Sequence, residues 1–157
     1  MVKYRFLSDV ELKEFEEEFK HFLIANGVHA EEWEMLNNEN PDKAIEIVGL
    51  FSDLILDKVY DKTEFLIHQD TKSIKAFKFF KENAVLIGVD YKGEGDLPEN
   101  DILKFLSENA ADMLIYATSK TFSEENRNKE LHFLVQHGAF VTSHEVFDYL
   151  SKVKEEQ

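Results

Sequence analysis

Apolar positions recur at three- and four-residue spacing over the first sixty residues, and alternate with polar ones further on. In "FLSDVELKEFEEEFKHFLIANGV", Leu12, Phe15, Phe19, Phe22 and Leu23 fall on one face of a 3.6-residue repeat, which predicts a helix. Ser8 followed by Glu11 is the capping-box pattern, in which each side chain satisfies a backbone N–H at the helix start. Asn26-Gly27 ends the run, because glycine takes the left-handed C-cap conformation without strain. "HAEEWEML" predicts a short second helix, with Trp33 buried against the third helix. "NPDKAIEIVGLFSDLILDKVYDK" predicts a third, capped by Asn40 with Pro41 in its first turn. On that helix Ile45, Ile47, Val48, Phe51, Leu54, Ile55 and Val59 make an apolar face wide enough to predict cover on more than one side.

After residue 62 the period changes. "TEFLIHQD", "SIKAFKFF" and "AVLIGVDYK" are β-type runs separated by breaks short enough for hairpins. "GEGDLPEND" is a loop, with Asp96 and Glu99 placed to cap the helix "DILKFLSENA". "DMLIYATS" predicts a fourth strand. Ser123 is placed to cap the helical "EENRNKELHFLVQHG", and "AFVT" is a short extended piece. Thr142 with Glu145 predicts a capping box for the last helix, "VFDYLSKV". The expected fold is α+β in a single domain, residues 1–157. A helical layer (1–62) packs on a four-stranded mixed, largely antiparallel sheet with C-terminal helices (63–157). Three strands would be joined by hairpins and the fourth reached by a helical crossover.

Composition narrows the chemistry. Cysteine is absent, which excludes disulfides, thiolate metal sites and cysteine nucleophiles. Fourteen phenylalanines predict an aromatic-rich core. The formal net charge of −14 repels nucleic-acid phosphates on average; it reads first as a device for solubility, and otherwise as the complement of another, basic protein. No run is apolar enough to span a bilayer and neither end reads as a secretory leader, so the expected location is the cytoplasm.

Three constellations carry candidate chemistry. Glu18 and His21 have the E-x-x-H spacing of di-metal helical bundles, but the second E-x-x-H such a site needs is missing, so the pair reads as a solvated helix face. "VLIGVDYK" ends in Asp90-x-Lys92, with Asp70 twenty residues before Asp90. This is the D…(D/E)-x-K order of Mg²⁺-dependent nucleases and phosphodiesterases. There two carboxylates hold the metal, the metal activates water, and the lysine stabilises developing charge. Glu46 or Asp53 on the third helix could add a ligand. Lys72, Lys75, Lys78 and Lys81 would give that region a positive strip, or else serve as charges guarding a strand edge. His68 with Asp70 is a weaker pair on one face of a strand.

In "FSDLILDKVYDKTEFLIH", in "SKTFSEENRNKELHFLVQHGAFVTSHEVFDYL" and in the opening Lys3-Tyr4-Arg5-Phe6-Leu7, the chain resembles an uncharacterised bacterial family of acidic cytoplasmic proteins of about this length. The resemblance covers nearly the whole chain. It implies one domain and transfers no catalytic residue or cofactor. The leading expectation is a non-enzymatic protein-interaction or regulatory module without a cofactor. The alternatives are the Mg²⁺-dependent nuclease using Asp70, Asp90, Lys92 and Glu46, and a nucleic-acid mimic. A mimic would need acids in rows at phosphate spacing, and lysines interspersed among the acids weaken that reading.

Overall fold

The structure is a computed structural model that describes residues 2–157. The chain divides into two compact units, residues 1–61 and 62–157.

The N-terminal unit is helical: α1 (Asp9–Glu14), α2 (Glu16–Ala25), α3 (Ala30–Glu39) and α4 (Pro41–Lys62), whose last residue belongs to the second unit. The capping box forms, with Glu11 N–H donating to Ser8 Oγ at 3.2 Å and Ser8 N–H to Glu11 Oε1 at 2.9 Å. The single helix expected over the first apolar run is instead two. The backbone leaves helical geometry at Phe15 (φ −101°, ψ 26°), which ends α1 and starts α2. Gly27, at φ +76°, provides the left-handed turn after α2. Phe51 of α4 is buried beneath Phe19 and Phe22, with ring centroids 4.9 and 5.4 Å away, and Trp33 meets Phe19 edge-on at 5.2 Å. Trp33, expected to be buried against the third helix, is instead half-buried and packs on Phe19 of α2 through this contact.

The second unit is a five-stranded antiparallel sheet with three helices. Its elements are β1 (Phe65–Gln69), β2 (Ser73–Phe79), β3 (Asn83–Tyr91), α5 (Ile102–Glu108), β4 (Met113–Thr121), α6 (Arg127–Gln136), β5 (Phe140–Thr142) and α7 (Glu145–Glu156). The spatial order is β4-β3-β2-β1-β5. Two expectations are corrected here. The sheet has five strands, because "AFVT" contributes β5 against β1, with Phe65 opposite Thr142. The sheet is also not mixed. The connection carrying α5 leaves and rejoins at one end of the sheet, where Lys92 N–H donates to Asp112 O at 2.8 Å, so β4 returns antiparallel to β3.

Alternation divides the sheet into two faces. One face carries Ile67, Ile74, Ala76, Ile87, Val89 and Ile115, and forms the core with Leu106 of α5 and Val146, Phe147 and Leu150 of α7. The other presents Lys75, Phe77, Phe79, Leu86, Asp90, Tyr116 and Thr118, as the ladder register requires. Gly88 lies opposite Tyr116 on this second face, and a Cβ there would sit 2.1 Å from the tyrosine ring. Glycine is what lets the ring lie flat across the neighbouring strand.

Three expected caps do not form. Asp96 and Glu99 lie ahead of α5, which starts after Asp101, a residue at φ +55° without a side-chain capping bond. Ser123 precedes a 3₁₀ turn, Glu124–Asn126, and its side chain makes no cap. At α7 the flanking residue is His144 rather than Thr142. Ser143 Oγ donates to Glu145, and His144 Nδ1 is 2.8 Å from Asp148 Oδ2. In each case the expected residue lies ahead of the helix, which is flanked instead by a residue two to five positions later.

Candidate functional site

One developed surface feature of the N-terminal unit runs along α4. Its residues Asp42, Ile45, Glu46, Gly49, Leu50, Asp53 and Asp57 recur at three- and four-residue spacing, so carboxylates and apolar side chains share one outward stripe. The C-terminal half of that stripe is already occupied by the chain's own start. Lys3 N–H reaches both Asp53 oxygens, at 2.9 and 3.1 Å, and Lys3 Nζ donates to Asp57 Oδ2 at 2.9 Å. Tyr4 O–H donates to the other Asp57 oxygen. The Asp57 hydrogen bond and charge raise the Lys3 ammonium above its usual range. Leu7, which is buried, donates its N–H to Ser52 Oγ at 3.0 Å, and Ser52 passes a hydrogen bond to Val48 O at 2.7 Å. Arg5 grips Glu11 with two nitrogens, at 2.7 and 2.9 Å. That hydrogen bond, with the Ser8 N–H, holds the Glu11 carboxyl down at about 2.

The N-terminal half of the stripe is open. There a cleft of about 430 Å³ is lined by Val2, Phe6, Asp42, Ile45, Glu46, Gly49 and Leu50. Ile45 and Leu50 are each 55% exposed and Phe6 46%, which is far from the burial expected for so apolar a helix face. α4 is covered on more than one side, with Phe51 under Phe19 and Phe22 of α2 and with Gly49, Ser52 and Tyr60 under Val2, Leu7 and Tyr4, but three of the apolar positions expected to be buried, Ile45, Leu54 and Val59, face outward. Gly49 forms the floor. A Cβ there would lie 3.1 Å from Val2 and 3.3 Å from Phe6, so the glycine admits the N-terminal segment against the helix. Asp42 and Glu46 supply the charged rim, where Glu46 keeps only a long 3.8 Å approach to exposed Lys43.

The residues singled out for metal chemistry are placed as follows. Asp70 sits in the β1–β2 turn, where its N–H donates to Ser73 O at 2.9 Å and its Oδ2 accepts from Ser73 Oγ at 3.3 Å. Asp90 faces Ser73 across the β2–β3 ladder, on the sheet face of Tyr116. The tyrosine hydroxyl is pushed up by burial and by the Asp90 charge. Lys92 lies just past β3 and is exposed. Glu46 is on α4 in the other unit, at the cleft described above, and the Asp53 carboxylate accepts the Lys3 N–H. Among the described residues, no group of three or more His, Asp or Glu side chains is positioned to hold a metal ion. His68 Nδ1 is 3.9 Å from Asp70 Oδ2 and is buried without a hydrogen bond. Glu18 and His21 are exposed on α2.

The lysines do not form one strip. Lys75 and Lys78 are on opposite sheet faces, and Lys78 lies over the Phe65 and Phe80 rings. Lys72 Nζ donates to Gly93 O at 3.1 Å and to Gly95 O, and stands 5.1 Å from the centroid of Tyr91. Its charge is used to fix the "GEG" loop. On the face of Phe77 and Phe79 there is also a smaller cleft of about 240 Å³, closed at one side by Phe133 and Leu134 of α6, with the Lys120–Glu130 pair (2.9 Å) at its rim.

The α4 cleft was not singled out from sequence, although its signal is present: acids and apolar residues interleaved on one helical stripe.

Among the described residues, no helix is long and apolar enough to cross a membrane. No curated protein and no solved structure matches the chain. One protein family does match, described as a family of unknown function, DUF6495, over residues 1–155. With its described length spanned almost end to end, the chain belongs to the DUF6495 family.

Proposed function

We propose that the protein is a non-enzymatic interaction module whose N-terminal unit binds a basic, apolar-anchored segment of another protein along α4. The observation that carries this reading is the open cleft of Phe6, Ile45 and Leu50 rimmed by Asp42 and Glu46. The same helix already holds a segment of this chemistry within the chain. Lys3 and Tyr4 engage Asp53 and Asp57, while Val2 and Phe6 lie against Gly49. A partner segment with lysine or arginine beside large apolar residues would extend that arrangement toward the start of α4.

The energetics divide by residue type. Covering about 150 Å² of apolar surface contributes roughly 4 kcal/mol. Each exposed ion pair adds only about 0.2–1 kcal/mol and is weakened by salt. Apolar contact therefore supplies most of the affinity, and the carboxylates select the sign of the partner. The test is fluorescence anisotropy with a labelled fifteen-residue amphipathic Lys/Leu peptide and its Glu/Leu counterpart. The Lys/Leu peptide should bind and the Glu/Leu peptide should not. Leu50→Ser should weaken binding about tenfold, the equivalent of ~1.4 kcal/mol, and Asp42→Lys with Glu46→Lys should flatten the salt dependence. Equal binding of the Lys/Leu peptide to all three proteins would rule out this site.

A further inference from the structure

The sheet ends on one side in β5, three residues long, and on the other in β4, nine residues long. Short edges are self-protecting, whereas a long one exposes a row of unpaired backbone groups. The outward row on β4 can be identified. Lys92 N–H donates to Asp112 O, and Phe122 N–H donates to Glu82 O, so even-numbered residues at both ends of β4 direct their backbone groups toward β3. In an antiparallel ladder a residue's N–H and C=O point the same way, and the direction alternates along the strand. Ile115, Ala117, Ser119 and Thr121 therefore turn their N–H and C=O to the free edge, and Met113 turns its C=O there while its N–H donates to Ala110 O. Among the described residues β4 pairs with β3 alone.

The usual guards of such an edge are missing. β4 has no proline, and its pairing with β3 is continuous from Met113 to Thr121, without a bulge. Between Asp112 and Glu124 the only charged residue is Lys120, in a chain that is 32% charged. Lys120 is itself neutralised by Glu130 at 2.9 Å.

We propose that β4 is a self-association edge, pairing antiparallel with β4 of a second copy about a twofold axis at Ala117. Charge places the contact. Two molecules of net charge −14 repel over most of their surfaces, and they approach at least cost through a strand whose one charge, Lys120, is already paired. Register selects Ala117. Only that centre pairs all nine residues, and it matches each outward residue with another outward residue: Met113 with Thr121, Ile115 with Ser119, and Ala117 with itself. With the Met113 N–H of each copy already used, five such pairs would supply about eight hydrogen bonds between the copies. On the far face Lys120 would lie opposite Leu114 of the second copy, so no like charges meet, and its aliphatic stem would cover a leucine now 55% exposed. The contact is isologous and closed, giving a ten-stranded sheet and no fibre.

Sedimentation equilibrium tests the proposal on the full chain. The wild type should show a concentration-dependent dimer. Ala117→Pro removes an N–H that β3 does not use, which edge strands tolerate. It should keep the circular dichroism spectrum and melting temperature and weaken the dimer at least tenfold. Ala117→Glu and Ala117→Lys should each be monomeric, since like charges would face each other across the axis, and an equimolar mixture of the two should dimerise again. A wild type that stays monomeric up to about 0.5 mM, well above the working range of a specific interface, would overturn the proposal. So would a dimer indifferent to all three substitutions, or charge variants that fail to recover on mixing.

Discussion

Arg127 offers the sharpest test of how the sheet unit is held together. Only 9% exposed, its guanidinium donates to Thr63 O at 2.6 Å and to Phe80 O at 2.8 Å, over the ring of Phe79 at 5.9 Å. Thr63 precedes β1 and Phe80 follows β2, so one side chain clamps the open end of the first hairpin. Arg127→Met keeps the stem and removes the donors. A hydrogen bond from a charged donor contributes about 1.5–3 kcal/mol, and a buried acceptor left without a partner adds its desolvation cost. Thr63 is 4% exposed, so its carbonyl cannot regain water, whereas Phe80 is exposed and its carbonyl can. The first bond therefore counts at about 2–3 kcal/mol and the second at about 1 kcal/mol. Relief from burying a cation returns roughly 1 kcal/mol. The expected net loss is about 2–3 kcal/mol. With a urea m-value of about 2 kcal/mol/M, the midpoint falls by roughly 1–1.5 M. Far-UV circular dichroism or amide NMR of the sheet should follow the transition, because Trp33, the one tryptophan, reports on the helical unit. Arg127→Lys keeps the charge but not the fork, and should recover no more than half the loss. A midpoint for Arg127→Met within about 0.2 M of wild type, under 0.5 kcal/mol at that slope, would refute the clamp.

Two further outcomes follow from side-chain geometry. Glu11 titrates near 2 in the folded chain against an ordinary 4.5, so its pairing stabilises fully above pH 4.5 and fades as the pH falls toward 2. Solvent screening limits the effect to about 0.5–1 kcal/mol. Glu11→Gln should melt lower than wild type at pH 7 and level with it at pH 2; a constant gap would contradict the assignment. Gly88→Ala forces the Tyr116 ring off its neighbour and should cost about 1–2 kcal/mol, yet be neutral in a Tyr116→Ala background. Equal cost in both backgrounds would show that the ring is not the obstacle.

Local patterns were legible in the sequence where the responsible atoms lie close in the chain. The capping box at Ser8, the turn at Gly27, Asn40 accepting from Lys43 N–H at 3.3 Å and the two short hairpins are all of this kind. The direction of β4 was not legible, because a helix in a connection suggests a crossover only until the chain is seen to return to the end it left. Nor was the fate of Lys72, whose acceptors lie more than twenty residues away in the "GEG" loop. Hydrophobicity predicted burial for Ile45 and Leu54, but the helix exposes them. The short helices before α4 supply too few neighbours to cover every apolar residue along it.

The pairing of β5 with β1 has a consequence for the order of assembly. The ladders β1–β2 and β2–β3 join neighbours through three-residue connections, and β3–β4 closes a modest excursion. Bringing Phe140 to Ile67 instead closes a loop of some seventy residues, an entropic cost on the order of 4 kcal/mol. Three residue pairs do not offset that by themselves. β5 can settle only after α6 and α7 have begun to cover the sheet, which makes the meander the early structure and β5 its late seal. Until that seal forms, β1 is a second open edge on the nascent chain, and the time spent in that state sets the interval during which misassembly competes with folding.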